Sequence, residues 1–194
     1  MPTANAKNSP TRGYLKIASA APTLKVDFKG KLVLDIGSST GGFTDFALQS
    51  GAKKVIAVEK GTRQMSAPLR FDPRIDLHEK TDIFTFQTTP PDLILIDVSF
   101  LSLTKILKYA SMYLTGPKTQ LLAMLKPQFE ARPDQMTKGI IKNEKTRREI
   151  IKTFESWLKT HHFLTLAKRD NPAPGRFGNL ERFYLLGVPK KHQV

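Results

Sequence analysis

Cysteine is absent from all 194 residues of the chain. That absence excludes a disulfide framework, a thiolate zinc site, an iron–sulfur cluster and any mechanism that runs through a cysteine nucleophile. Histidine is scarce, and His78, His161, His162 and His192 are scattered; the adjacent pair follows a helical stretch, where it reads as solvated surface. They supply no metal-ligand spacing and no obvious catalytic base. Long apolar runs are missing as well, since residues 93–96 and 121–125 fall far short of the roughly 20 residues that span a bilayer. Residues 1–10 lack the apolar centre of a secretory signal, so the sequence predicts a cytoplasmic protein without a membrane partner. Acidic residues are few, 17 against 31 Lys and Arg, leaving a net charge of +14. A surplus of that size points to a polyanionic partner, nucleic acid first.

What is present fits one globular domain, with 40% hydrophobic and 25% charged residues. Residues 1–11 are polar and read as a flexible lead-in. Residues 31–37, Lys-Leu-Val-Leu-Asp-Ile-Gly, form a short apolar run that ends in an acid and a glycine, the pattern of a strand buried on both faces. A loop over residues 38–42 leads into a predicted helix over 43–49, with Thr40 or a neighbour as its cap and Gly51 as its stop. Strands are predicted at 54–59, weakly at 75–78, at 92–98 and at 120–125. Helices are expected at 63–69, 102–114 and 144–160, and β-rich pieces at 163–167 and 182–188. Alternating β and α segments predict a doubly wound, mostly parallel sheet, with the last two strands as an antiparallel hairpin.

In such sheets ligands sit beyond the carboxyl ends of the strands, so Asp35, Glu59, Asp97 and Lys126 are the positions to inspect. The run Asp35-Ile-Gly-Ser-Ser-Thr-Gly-Gly42 has Ser39 where a dinucleotide fingerprint needs its middle glycine, which disfavours a pyrophosphate. Glu59, 22 residues after Gly37, is placed to accept both hydroxyls of a ribose. Loop and acid together suit S-adenosyl-L-methionine, a nucleoside without phosphate. Asp82, after the weak strand, reads equally as a contact to the adenine amino group or as a turn cap. Lys126 closes an apolar strand, where an ammonium needs a partner or a task, and Asp97 on the neighbouring strand is the partner in reach. Pro90-Pro91 precedes its strand, so it does not make the acceptor loop that follows the strand in amino-group methyltransferases. With no cysteine for pyrimidine C5 chemistry, an oxygen acceptor remains.

Five blocks carry a resemblance that spans nearly the whole chain: Arg12-Gly-Tyr-Leu-Lys16, residues 35–45, Asp97-Val-Ser-Phe-Leu-Ser-Leu103, Lys126-Pro-Gln-Phe-Glu130 and Gly178-Asn-Leu-Glu181. On these the sequence resembles the hemolysin A/TlyA family of ribosomal RNA 2'-O-methyltransferases, within the wider FtsJ-like (RrmJ-like) class. The resemblance implies a Rossmann-like S-adenosylmethionine-dependent methyltransferase fold over residues 12–190, with a cytidine 2'-hydroxyl of ribosomal RNA as the acceptor. It implies a catalytic tetrad of Lys16, Asp97, Lys126 and Glu181, with Lys126 taking the proton, Asp97 and Glu181 orienting it and Lys16 positioning the hydroxyl or phosphate. The cofactor set it implies is Asp35, Gly37, Ser39, Thr40, Gly41, Gly42, Phe43, Glu59, Asp82 and Asp97. Glu59 stands where an aspartate is common, and residues 60–64 differ from the family's glycine-rich, aromatic run.

Family members usually carry an S4-type RNA-binding module ahead of the first block, whereas eleven residues precede Arg12 here. RNA binding is therefore expected to use a basic path on this domain or a separate S4-type partner. Candidate contacts are Lys7, Arg12 and Lys25; Lys138, Lys142, Lys145, Arg147 and Arg148; and Arg169, Arg176 and Arg182. Phe129 and Phe177 read as core or as platforms for a splayed base. Two other readings stay open: a catalytically silent RNA-binding module of the same fold, and a nicotinamide-dependent oxidoreductase, which Ser39 argues against. Nothing in the chain predicts a lytic helix, despite the hemolysin name.

Overall fold

The computed structural model describes residues 11–172, 175 and 178–189. Lys7, Arg176, Phe177 and nearly all of the expected flexible lead-in lie outside them. Seven strands form one sheet: β1 (Leu32–Ile36), β2 (Lys54–Val58), β3 (Ile75–His78), β4 (Leu93–Ile96), β5 (Gln120–Leu125), β6 (Leu164–Asp170) and β7 (Arg182–Gly187). Their order is β3-β2-β1-β4-β5-β7-β6. The first five are parallel, and β7 runs antiparallel to both β5 and β6. The α/β class, the parallel centre and the terminal antiparallel pair are those expected from the sequence.

Five α-helices accompany the sheet: α1 (Arg12–Ala20), α2 (Gly42–Gln49), α3 (Ala67–Arg70), α4 (Leu103–Tyr113) and α5 (Glu144–Thr160). The central strands are apolar on both faces because helices cover both. Val33, Leu93, Leu95 and Phe183 pack on one side with Ile17 and Ala20 of α1 and Phe43 and Ala47 of α2. Leu34, Ile94, Ile96 and Tyr184 pack on the other with Ile106 and Leu107 of α4 and Ile151 and Phe154 of α5. The strand order reverses between β1 and β4, where both carboxyl ends open into a crevice.

Two local expectations need correction. Helix α1 was not predicted, although Ile17, Ala20, Ala21 and Leu24, all buried, repeat at helical spacing. It is capped by Thr11, whose hydroxyl accepts from the Tyr14 N–H at 3.2 Å. Helix α3 is shorter than the expected 63–69, because Arg63 has left-handed backbone (φ +54°) and Pro68 sits in the first turn, where proline belongs. The cap of α2 falls on a neighbour of Thr40, as the sequence allowed: Gly41, in left-handed backbone and without a side-chain hydrogen bond.

Candidate active site

Gly37 is where β1 meets β4. Its φ is +82°, and a Cβ there would lie 2.9 Å from the Asp97 carbonyl oxygen, so any larger residue would push the two strand ends apart. Gly42 serves a different contact. A Cβ on it would meet the Thr11 hydroxyl at 2.5 Å and the Tyr14 nitrogen at 2.6 Å, so this glycine lets α1 pack against the start of α2. The loop between them borders two cavities, one on each side.

The first cavity, about 370 Å³, is walled by Gly37, Ser39, Glu59, Asp82, Phe84 and Asp97, among others. Glu59 holds the loop in place: Oε2 accepts from the Ser39 N–H at 2.9 Å and Oε1 from the Gly61 N–H at 2.7 Å. A carboxylate has lone pairs left for two hydroxyls, so this does not preclude a ribose. Of the two readings of Asp82, the turn cap is the one seen. Asp82 caps the turn Ile83–Thr85 by accepting from the Phe84 N–H at 3.0 Å, pairs with Lys60 at 3.1 Å, and still borders the cavity. The Phe84 N–H and then Lys60 hold its carboxyl below the ordinary range.

Asp35 lies beneath the loop rather than on a cavity wall. It is fully buried and accepts from the Thr44 hydroxyl at 2.6 Å, while Oδ1 has no hydrogen-bond partner among the described residues. Burial pushes its carboxyl up to about 7, against the Thr44 hydrogen bond, and the charges of Asp97 and Glu59 push the same way. Thr40, Gly42 and Phe43 border a second cavity of about 240 Å³ on the α1 side. Gly41 borders none of the cavities described here.

Lys16, Asp97, Lys126 and Glu181 come together from α1 and from the ends of β4, β5 and the segment before β7. Lys126 Nζ is 2.6 Å from Asp97 Oδ1 and donates to the Ser99 hydroxyl at 3.0 Å. Lys16 Nζ is 2.8 Å from Glu181 Oε2. Of the two carboxylates expected to orient Lys126, Asp97 pairs with it directly, while Glu181 pairs with Lys16 and shares a cavity with Lys126. Glu181 is only 3% exposed and also accepts from the Asn171 side chain at 3.2 Å, so its position is set from two sides. Lys16 and Lys126 both border the second cavity and a third of about 430 Å³, which Glu181, Phe100, Phe129, Arg12 and Lys138 also line.

Several residues that build this site were missed. Ser99 shares Lys126 with Asp97. Glu130 spans two of the five blocks, accepting from the Ser102 hydroxyl and the Leu103 N–H at the start of α4, both at 2.6 Å. Phe100 is 88% exposed with φ +64° and tilts against Phe129 at 5.2 Å between ring centroids. In contrast, Arg147 and Arg182 are both bound by Asp170, each at 2.7 Å. Arg169 bonds the Thr23 hydroxyl and Arg148 pairs with Glu144.

The two larger cavities differ in sign. Glu59, Asp82 and Asp97 with Lys60 make the first acidic; Arg12, Lys16, Lys126 and Lys138 with Glu181 make the third basic. They meet at Ser99 and Phe100, which line both. An acidic nucleoside cavity suits a ligand with a cationic sulfur and an ammonium group, and its residues include none of the phosphate-cradling pattern of a dinucleotide site. The residues present therefore fit S-adenosylmethionine.

A family model described as FtsJ-like methyltransferase matches residues 10–187. The chain is 37% identical over 190 residues to "Putative rRNA methyltransferase YqxC" of Bacillus subtilis (strain 168), covering 94% of this chain and 67% of that protein. It is 33% identical over 177 residues to the 23S rRNA (cytidine-2'-O)-methyltransferase TlyA of Campylobacter jejuni, covering 90% and 69%. Among solved structures, "Putative hemolysin from Streptococcus thermophilus" superposes with a TM-score of 0.87 at 33% identity, covering 93% of this chain and 67% of that one.

Proposed function

The chain belongs to the FtsJ-like methyltransferase family, and from that premise we propose that it methylates a ribose 2'-hydroxyl of ribosomal RNA, a cytidine nucleotide first, in the cytoplasm. The observation that carries this reading is the pairing of the cavities: an acidic one that fits the methyl donor and a basic one that fits a polyanion, joined at Lys126 and Asp97. S-adenosylmethionine supplies an electrophilic methyl on a positively charged sulfur. The protein aligns the acceptor oxygen with that carbon and disposes of its proton. With Lys126 Nζ as the neutral amine, the hydroxyl proton would pass to it as the acceptor oxygen takes the methyl carbon and the sulfur leaves, and Asp97, 2.6 Å away, would stabilise the resulting ammonium. The Lys16–Glu181 pair holds a second cation beside the acceptor, where a hydroxyl or phosphate oxygen binds. Phe100, exposed against Phe129, provides a ledge for the acceptor base.

The test is methyl transfer by the purified chain to ribosomal subunits, read as 2'-O-methylcytidine in digested RNA. Lys126→Ala is expected to lower the rate by about 10²–10⁴-fold, while calorimetry shows S-adenosylmethionine affinity within about 3-fold of wild type. Normal turnover in that variant would remove Lys126 from the mechanism. A wild-type chain that binds cofactor and RNA but transfers nothing would favour the silent RNA-binding module.

A further inference from the structure

Residues 137–140 form a tight hairpin closed by two backbone hydrogen bonds, Thr137 N–H to the Ile140 oxygen at 2.9 Å and the reverse at 3.0 Å. Its central residues, Lys138 and Gly139, both have left-handed backbone, φ +50° and +76°, as a two-residue turn of the hairpin hand requires. So short a hairpin has no core of its own and needs support from elsewhere. The support is one side chain some forty positions along the chain. The Asn179 amide accepts from the Ile141 N–H at 3.0 Å and donates to the Gly139 oxygen at 3.0 Å. Asn179 is 5% exposed, and its own carbonyl accepts from the Gly175 N–H at 2.8 Å. The same residue thus ties the hairpin to the segment that supplies Glu181.

The hairpin is also a wall of the basic cavity, where Lys138 and Gly139 face the space shared with Lys16, Lys126 and Glu181. Lys16 and Lys126 each have a carboxylate, whereas Lys138 has no ion-pair partner among the described residues. A ribose whose 2'-oxygen meets Lys126 carries a phosphodiester on the adjacent 3'-carbon, so an RNA acceptor brings negative charge to this wall. We propose that Lys138 binds a phosphodiester flanking the acceptor ribose and that Asn179 is the positioning residue that holds it there; this rests on the RNA reading above.

Fluorescence anisotropy of a labelled ribosomal RNA fragment, followed across a salt series with the full chain, tests it. Lys138→Ala is expected to weaken binding about 3- to 10-fold at low salt and to reduce the slope of log K against log salt by about 0.7–0.9, the contribution of one phosphate. Asn179→Ala is expected to lose the same increment of slope, and adding Lys138→Ala to it to cost less than about 2-fold more, since the lysine is no longer held. Asn179→Asp keeps the acceptor for Ile141 but not the donor to Gly139, and its slope is expected to fall between. A purely structural Asn179 would lower the melting temperature without moving the slope, and additive losses in the double variant would separate it from Lys138; either result overturns the positioning role. An unchanged slope in Lys138→Ala overturns the phosphate contact, and that variant decides the matter by itself should Asn179→Ala fail to fold. If the wild type binds no RNA at any salt, the RNA reading falls and the proposal with it, an outcome distinct from a wild type that binds with an unchanged variant slope.

Discussion

Asp35 is a carboxyl at the heart of a nonpolar sheet, with Val58, Leu34 and Ile36 buried around the same strand ends. Its preference for the neutral form has a consequence for stability. The folded protein keeps the proton up to about pH 7, whereas an ordinary aspartate gives it up near 3.8. Between those values the folded state binds the extra proton, so the stability contributed is complete below about pH 4 and declines as pH rises through 7. Asp35→Asn retains an acceptor for the Thr44 hydroxyl and cannot ionise. Its melting temperature relative to wild type is expected to rise by about 5 °C between pH 5 and pH 8, measurable by calorimetry at several pH values. A difference that stays constant across that range would mean that Asp35 does not titrate there. The position of Asp35 was legible in the sequence as a strand-end acid; its separation from the cavity was not, because only the fold shows the Ser38–Gly41 turn lying over it.

At the level of elements, the geometry of the candidate site depends on how α4 begins. Its buried face, Leu103, Ile106, Leu107 and Ala110, docks on the sheet, while its first turn follows the loop that holds Asp97, Ser99 and Phe100. The Glu130 carboxylate caps that turn from the segment after Lys126, which fixes the Asp97 loop relative to the Lys126 turn. Burial raises the Glu130 carboxyl pKa, against the Ser102 and Leu103 hydrogen bonds. Glu130→Ala is expected to cost about 1–2 kcal/mol of stability and to slow methyl transfer more than it weakens cofactor binding; Glu130→Gln, which still accepts a hydrogen bond, should recover most of both. Thermal melts and single-turnover rates on the pair decide it, and a full rate in Glu130→Ala would show that the loop is placed without this cap. The strands were readable because an apolar run that ends in an acid is a local signal. Glu130 as a cap and Glu181 as the partner of Lys16 were not, since each contact joins segments far apart in sequence. Helix α1 lies between these cases: the buried run Ile17, Ala20, Ala21 and Leu24 over its second half and the turn after it was local and readable, but the helix follows directly on a polar segment that masks its start.

For the molecule as a whole, a net charge of +14 says how much positive charge there is and not where it acts. The fold settles that by pairing. Arg70, Arg74, Arg147 and Arg182 are held by carboxylates within the protein, and Glu59, Asp82 and Asp97 line the cofactor side of the crevice, while Arg12 and Lys138 face the other cavity without ion-pair partners among the described residues. The two ligands should therefore respond to salt differently. RNA affinity is expected to fall with a log–log slope of magnitude about 3 or more, because each neutralised phosphate releases about 0.7–0.9 of a counterion. S-adenosylmethionine affinity is expected to change by less than about 2-fold over the same series, since its contacts are short-range and enclosed. Isothermal titration with each ligand at several salt concentrations measures both slopes. Equal and shallow slopes would place RNA recognition outside this cavity wall and leave the surplus charge as bulk solubility; a steep RNA slope beside a flat cofactor slope ties the surplus to the basic side of the crevice.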